Sequence, residues 1–130
     1  MHPTVVIKSS HDGTSLQFSD YVGDYFEASL HGAGFQGRGR VYAEEPSHMG
    51  AFFRDLATHW QGWKGQKQWG SLEGELQFTA TSDSTGHTTL GVRLRSGPYP
   101  FDWILTAALL VDAGQLESIA NKMEEFLVAR

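Results

Sequence analysis

The spacing of the apolar residues changes twice along this chain, and that change decides most of what it can fold into. Val5, Val6 and Ile7 form a short β-branched run, closed by the turn-rich segment from Ser9 to Ser15. Leu16 and Phe18 follow two apart, as do Phe26, Ala28 and Leu30, and then Val41 and Ala43, with polar residues between them. A period of two is that of a half-buried strand. Met49, Phe52, Phe53, Leu56 and Trp60 then fall on one face of an α-helix. Glu44, Glu45 and Pro46 suit its first turn, where acidic side chains complement the helix dipole, and Gly62 suits its end.

The period then returns to two. Leu72, Leu76, Phe78 and Ala80 share one face of a strand, and Glu73, Glu75, Gln77 and Thr79 the other. After the turn from Ser82 to Gly86, Leu90, Val92 and Leu94 alternate with Gly91, Arg93 and Arg95. Setting Phe78 opposite Leu90 and Leu76 opposite Val92 brings Glu75 opposite Arg93 and Glu73 opposite Arg95, pairs of favourable charge. Trp103 to Val111 is apolar on both faces, as a central, doubly covered strand would be. Asp112 with Gln115 spells a capping box before a helix that buries Leu116, Ile119, Ala120, Met123 and Leu127. The order ββββ-α-βββ-α predicts an α+β domain over residues 1–130, a largely antiparallel sheet of about seven strands with two helices packed on it.

Composition narrows the functional classes. The 130 residues are 40% hydrophobic and 19% charged, as in a globular domain able to bury a core. No apolar run reaches the ~18–20 residues that span a bilayer, and the first residues do not read as a signal peptide, so a cytoplasmic, membrane-free location is expected. Without cysteine there is neither a disulfide nor a thiolate metal site. The net charge of −5 disfavours nucleic acid as the main ligand and suits a basic partner.

The chemical motifs are few. Gly32, Gly34 and Gly37 spell GxGxxG, but a dinucleotide-binding turn needs a helix after the third glycine, and Arg38 to Tyr42 reads as a strand. The glycines are better read as a hairpin turn that sets Glu27 opposite Arg40 and Ala28 opposite Gly39. Gly37 and Gly39 would then leave room for a helix side chain or an aromatic ring. The six histidines show no metal-binding spacing; His48 and His59 share a helix face but lie ~16 Å apart. Glu73 and Glu75, two apart on one face, read as a solvated charge ladder more readily than as an acid–base pair. No cofactor and no metal are expected.

Three of the four tryptophans, Trp60, Trp63 and Trp69, fall within ten residues. Trp60 ends the helical stripe and is assigned to the core. Trp63 and Trp69, with Lys64 and Lys67 beside them and glycines around them, are the candidate contact residues, together with Glu73 and Glu75. The stretch from Phe52 onward resembles a family of small, mainly actinobacterial proteins known only as a domain of unknown function. The residues that carry it are Phe53, Leu56, Trp60-Gln-Gly62-Trp63, Lys67, Trp69, Ser71-Leu-Glu-Gly-Glu75, Gly86-His87, Leu90, Val92, Leu94-Arg95, Trp103 and Ala113-Gly-Gln-Leu-Glu117. They cover the last two-thirds of the chain and imply no chemistry. The same order of elements is similar, more loosely, to immunity proteins that neutralise wall-associated toxins. The resulting expectation is a small non-enzymatic binding protein with a protein partner, such as a toxin domain. A small-ligand or carbohydrate binder built on Trp63 and Trp69 is the alternative. A hydrolase built on Glu73, Glu75 and His87 comes third.

Overall fold

The computed structural model describes residues 3–43, 45 and 47–128. The strands β1 (Val5–Lys8), β2 (Ser15–Val22), β3 (Tyr25–Gly32) and β4 (Phe35–Tyr42) form one antiparallel sheet in sequence order. Helix α1 (Ser47–Thr58) follows, then a second antiparallel sheet, also in sequence order. Its strands are β5 (Lys67–Gly70), β6 (Leu76–Ser82), β7 (His87–Arg95) and β8 (Ile104–Asp112). Helix α2 (Leu116–Val128) closes the chain. The class is α+β and the expected order holds, with the short strand β5 added. The single sheet of about seven strands is corrected to two sheets of four. Physically, two short helices cannot cover the apolar face of so wide a sheet, whereas two sheets of alternating pattern cover each other.

The glycines of β4 set how closely the sheets approach. The β3–β4 hairpin turns at Ala33 and Gly34, the latter at φ 85°, and pairs Glu27 with Arg40 and Ala28 with Gly39, as the sequence indicates. A Cβ on Gly37 would lie 2.8 Å from Leu105 and 3.2 Å from the Trp103 ring. One on Gly39 would lie 2.9 Å from the Arg95 carbonyl oxygen. The room left there therefore admits an aromatic ring and the second sheet, not a helix. From this corner β8 crosses the first sheet, and its far end meets the segment after β1, where the Ser10 N–H donates to the Leu110 carbonyl at 2.9 Å.

The helices fill the wedge between the sheets. Phe126 of α2 is in ring contact with Phe18, Tyr21 and Phe26, and Phe78 of β6 with Phe18, Phe52, Phe53 and Trp69. Phe126 lies outside the stripe read from the sequence, yet it is buried with the five residues that were. Gln115 Oε1 accepts the Asp112 N–H at 3.1 Å, the reaching-back half of the expected capping box. The expected roles of Glu44 and Pro46 at the start of α1 lie outside the described residues.

Three expectations are corrected. Trp60 is 54% exposed rather than core, because α1 ends at Thr58 and the chain tightens into a turn, with Gly62 N–H bonded to the His59 carbonyl. The β6–β7 register is shifted by two residues, pairing Leu76 with Leu94, Phe78 with Val92 and Gln77 with Arg93. The apolar face is unchanged, but the Glu75–Arg93 and Glu73–Arg95 pairs do not form. The cause is the turn, where Asp83 Oδ1 accepts the N–H groups of Thr85 and His87 and so fixes a longer loop. Lastly, β8 is an edge strand with Trp103 and Ile104 exposed, not a central one.

Arg54 clasps the helices, donating to Glu117 at 3.0 Å and also to Asn121 and Glu124. Its hydrogen bond holds the Glu124 carboxyl below the usual carboxylate range. Backbone and hydroxyl donors in tight turns do the same for Asp12, through Thr14, and for Asp83, through His87 and Thr85. A carboxyl whose pKa is lower folded than unfolded stabilises fully above the ordinary range near pH 4 and loses that contribution as pH falls through its folded value. The urea midpoint is therefore expected to fall below about pH 4. Arg54→Met should return Glu124 to the ordinary range and flatten part of that fall, checked by urea melts of both proteins across pH 3–6.

Candidate partner-binding surface

The tryptophan segment joins α1 to the second sheet. Lys67 Nζ lies 2.8 Å from Asp55 Oδ2 of α1 and 5.4 Å from the Trp63 ring centroid. Trp63 Nε1 donates to the Ala80 carbonyl at 3.3 Å, and Trp69 stacks on Phe78 with ring centroids 5.3 Å apart. Both rings are half-buried against the core, whereas Lys64 is exposed. Trp69 also lines a cleft of about 220 Å³ with Phe26, Met49 and Leu72 and a polar rim of Tyr42 and His48. Trp63 does not line it, so the structure does not bring the two rings to one concave site.

Glu73 sits exposed in the β5–β6 turn, while Glu75 beside it is 3% exposed. The Glu75 carboxylate accepts the Tyr42 N–H at 2.9 Å and the Ser71 hydroxyl at 2.7 Å, and its backbone carbonyl accepts the Arg95 N–H. These bonds tie the end of β4 to the start of β6, which makes Glu75 a structural clasp between the sheets. His87 lies beyond the other end of β6, about 26 Å away at ~3.3 Å per residue. There its ring stands between Asp83, at 3.7 Å, and Asp112, at 3.3 Å. Among the described residues no three His, Asp or Glu are grouped to hold a metal ion, and no helix is long and apolar enough to cross a membrane.

The most partner-like surface is one the sequence reading passed over, the β7–β8 loop from Ser96 to Trp103. A polar scaffold fixes it from within. Ser96 Oγ donates to Asp102 Oδ1 at 2.9 Å, the Tyr99 N–H donates to Asp102 Oδ2 at 2.8 Å, and Arg95 Nη2 donates to the Tyr99 carbonyl at 2.6 Å. Gly97 leaves room for Asp102, since a Cβ there would lie 2.6 Å from its Oδ2. Pro98 and Pro100 flank Tyr99 and restrict the backbone further. On this frame Tyr99, 58% exposed, and Phe101, 83% exposed, stack parallel with centroids 5.3 Å apart. Trp103 is exposed beside them, and Leu72 is exposed in the β5–β6 turn at the same end of the second sheet. The sequence does carry a signal for this loop. Pro98-Tyr-Pro-Phe101 puts aromatic side chains where a hairpin loop ordinarily carries polar ones.

Residues 7–130 match DUF6228, a family of unknown function. The chain belongs to the DUF6228 family. No curated protein matches it. The DUF6228 match begins within β1, so the first sheet belongs to the family domain along with the tryptophan segment and the β7–β8 loop, although the residues that carry the resemblance begin only at α1.

Proposed function

We propose that this DUF6228 protein is a non-enzymatic binding module that docks a partner protein on the end of its second sheet, as an immunity protein docks the toxin it neutralises. The observation that carries this reading is the rigid β7–β8 loop with Tyr99, Phe101 and Trp103 in solvent. Aromatic side chains held in place before binding lose little conformational freedom on docking, and such residues dominate interface energetics. The buried position of Glu75 and its distance from His87 count against the hydrolase reading. The test is copurification with the C-terminal domain of a large secreted toxin encoded by a neighbouring gene. Tyr99→Ala/Phe101→Ala should abolish capture while leaving the fold intact. Absence of such a gene would overturn the toxin assignment, and undiminished capture by the double variant would overturn the surface.

A second reading places a small ligand or carbohydrate in the cleft beside Trp69. Its volume of about 220 Å³ is below the ~300–1,000 Å³ usual for small-molecule pockets, which favours the protein partner. Quenching of indole fluorescence by titrated sugars, lost in Trp69→Phe, would reverse that preference.

A further inference from the structure

We infer that the cleft beside Trp69 is an anchor pocket for one phenylalanine of the partner, carried on a segment with lysine or arginine beside it, an inference that rests on the protein-partner reading of the neighbouring loop. The end of β4, the start of α1 and the end of β5 wall the cleft, through Tyr42, Met49 and Trp69. Buried Phe26 and Met49 form its inner side, while exposed Glu45, His48 and Leu72 stand at its mouth. An apolar cavity of about 150 Å³ is enough to hold a benzene molecule, whereas drug-sized ligands take ~300–1,000 Å³. At about 220 Å³ the cleft admits one phenyl ring with its methylene group. The Trp69 and Phe26 rings favour an aromatic occupant, since aromatic pairs gain from edge-to-face or offset contact beyond the area they bury. Side chains of this kind, seated in pockets that exclude water, are the hot spots of protein interfaces.

The cleft is continuous with the β7–β8 loop. Ser71, in its wall, donates to the Glu75 carboxylate, the Glu75 carbonyl accepts the Arg95 N–H, and Arg95 Nη2 donates to the Tyr99 carbonyl. Gly70 and Arg93 flank Gln77 from either side, about 10 Å apart. An interface of standard size covers about 800 Å² per partner, roughly 30 Å across, and so spans both features. One partner can then receive Tyr99 and Phe101 on its own surface while lodging a phenylalanine in the cleft.

Charge selects what flanks that phenylalanine. Glu45 at the mouth and Glu73, next to Leu72, are exposed, and among the described residues neither is in an ion pair. The buried Glu75 carboxylate adds a third negative charge behind Ser71 and Tyr42. Against these, the N-terminus of α1 returns only about half a positive charge. The one basic group among the lining residues is His48. On the adjoining strands Arg38 lies by Glu27, Arg40 over the Tyr25 ring, Lys67 on Asp55, Arg93 on Gln77 and Arg95 on the Tyr99 carbonyl. None of these five lines the cleft. Lysine or arginine beside the phenylalanine therefore meets opposite charge, and the net charge of −5 acts in the same sense.

Titration with capped tripeptides, followed by NMR, tests the cleft without any partner protein. The probes are acetyl-Lys-Phe-Lys-amide, acetyl-Glu-Phe-Glu-amide and acetyl-Lys-Gly-Lys-amide, at about pH 8, above the ordinary histidine range. The first should shift the Met49 methyl and Trp69 indole signals and bind about fivefold more tightly than the second. The glycine peptide should leave both signals in place. Glu45→Lys should remove the preference for lysine, and Leu72→Ser should weaken binding by about threefold or more. Both positions are exposed, so the urea midpoint should not move. In the copurification, Glu45→Lys/Leu72→Ser should capture less partner than the wild type. Unmoved Met49 and Trp69 signals, equal binding of the two phenylalanine peptides, a preference that survives Glu45→Lys, or undiminished capture by the double variant would overturn the inference. A wild-type chain that binds the tripeptides as stated but captures no partner would overturn the protein-partner reading instead.

Discussion

Phe78→Ala is expected to lower the unfolding free energy by about 3–5 kcal/mol, the cost of emptying a large aromatic site in a packed core. Phe78 is where the layers meet. Its ring centroid lies 6.3 Å from that of Phe18 in the first sheet, 5.8 Å from Phe52 and 5.3 Å from Phe53 in α1, and 5.3 Å from Trp69 in β5. Those partners sit on three separate elements, so no single side-chain shift refills the space. By contrast Trp60→Ala, at an exposed turn position, should change stability by no more than about 0.5 kcal/mol. Urea unfolding of both variants checks the pair. A small loss at Phe78 together with a large one at Trp60 would mean that the packing around the tryptophan segment is other than described.

Glu75→Ala should cost about 1–3 kcal/mol, because it removes a buried carboxylate that accepts from two half-buried donors at once. The Tyr42 N–H belongs to the first sheet and the Ser71 hydroxyl to the second, so the loss should loosen the corner where the sheets meet. Glu75→Gln should be much milder. Its amide oxygen can accept the Tyr42 N–H while its amino group donates to Ser71 Oγ, whose hydroxyl reorients. If alanine and glutamine cost the same, the carboxylate is not acting through these two bonds. Native-state hydrogen exchange localises the effect, with faster exchange expected first at Tyr42 and Leu76, whose N–H groups depend on Glu75 and Ser71.

Much of this fold was legible because side-chain period survives tertiary assembly. The alternation at Leu16–Phe18 and Phe26–Leu30 and the stripe from Met49 to Leu56 each gave an element of the right type, facing the right way. The Gly32–Gly34 turn even gave its register, since a two-residue loop leaves no freedom in pairing. The β6–β7 register failed for the opposite reason. A slip of two residues conserves the apolar face, so Leu76 and Phe78 cannot report it, and the side chain of Asp83 set the loop length instead. β8 was misread because an apolar strand looks the same at a sheet edge as in its middle, and sequence does not say what lies beside it.

The candidate site was less legible still. The density of tryptophan between Trp60 and Trp69 drew attention to a segment whose indoles mostly serve packing, through Ala80, Lys67 and Phe78. The exposed aromatics instead follow two prolines in a hairpin loop. Their importance depends on Asp102 and Ser96 folding back beneath them, a contact between residues six apart that no local pattern announces.

Affinity for the protein captured in the copurification, compared between Phe101→Ala and Trp63→Ala by titration calorimetry, tests the partner-binding account most directly. Phe101→Ala is predicted to weaken binding by about 30-fold or more, the ~2 kcal/mol of an aromatic interface anchor, with its urea midpoint unchanged. Trp63→Ala is predicted to lower the urea midpoint and leave the affinity of the folded protein alone. The reverse pattern, with affinity lost at Trp63 and kept at Phe101, would contradict the account and return the binding surface to the tryptophan segment.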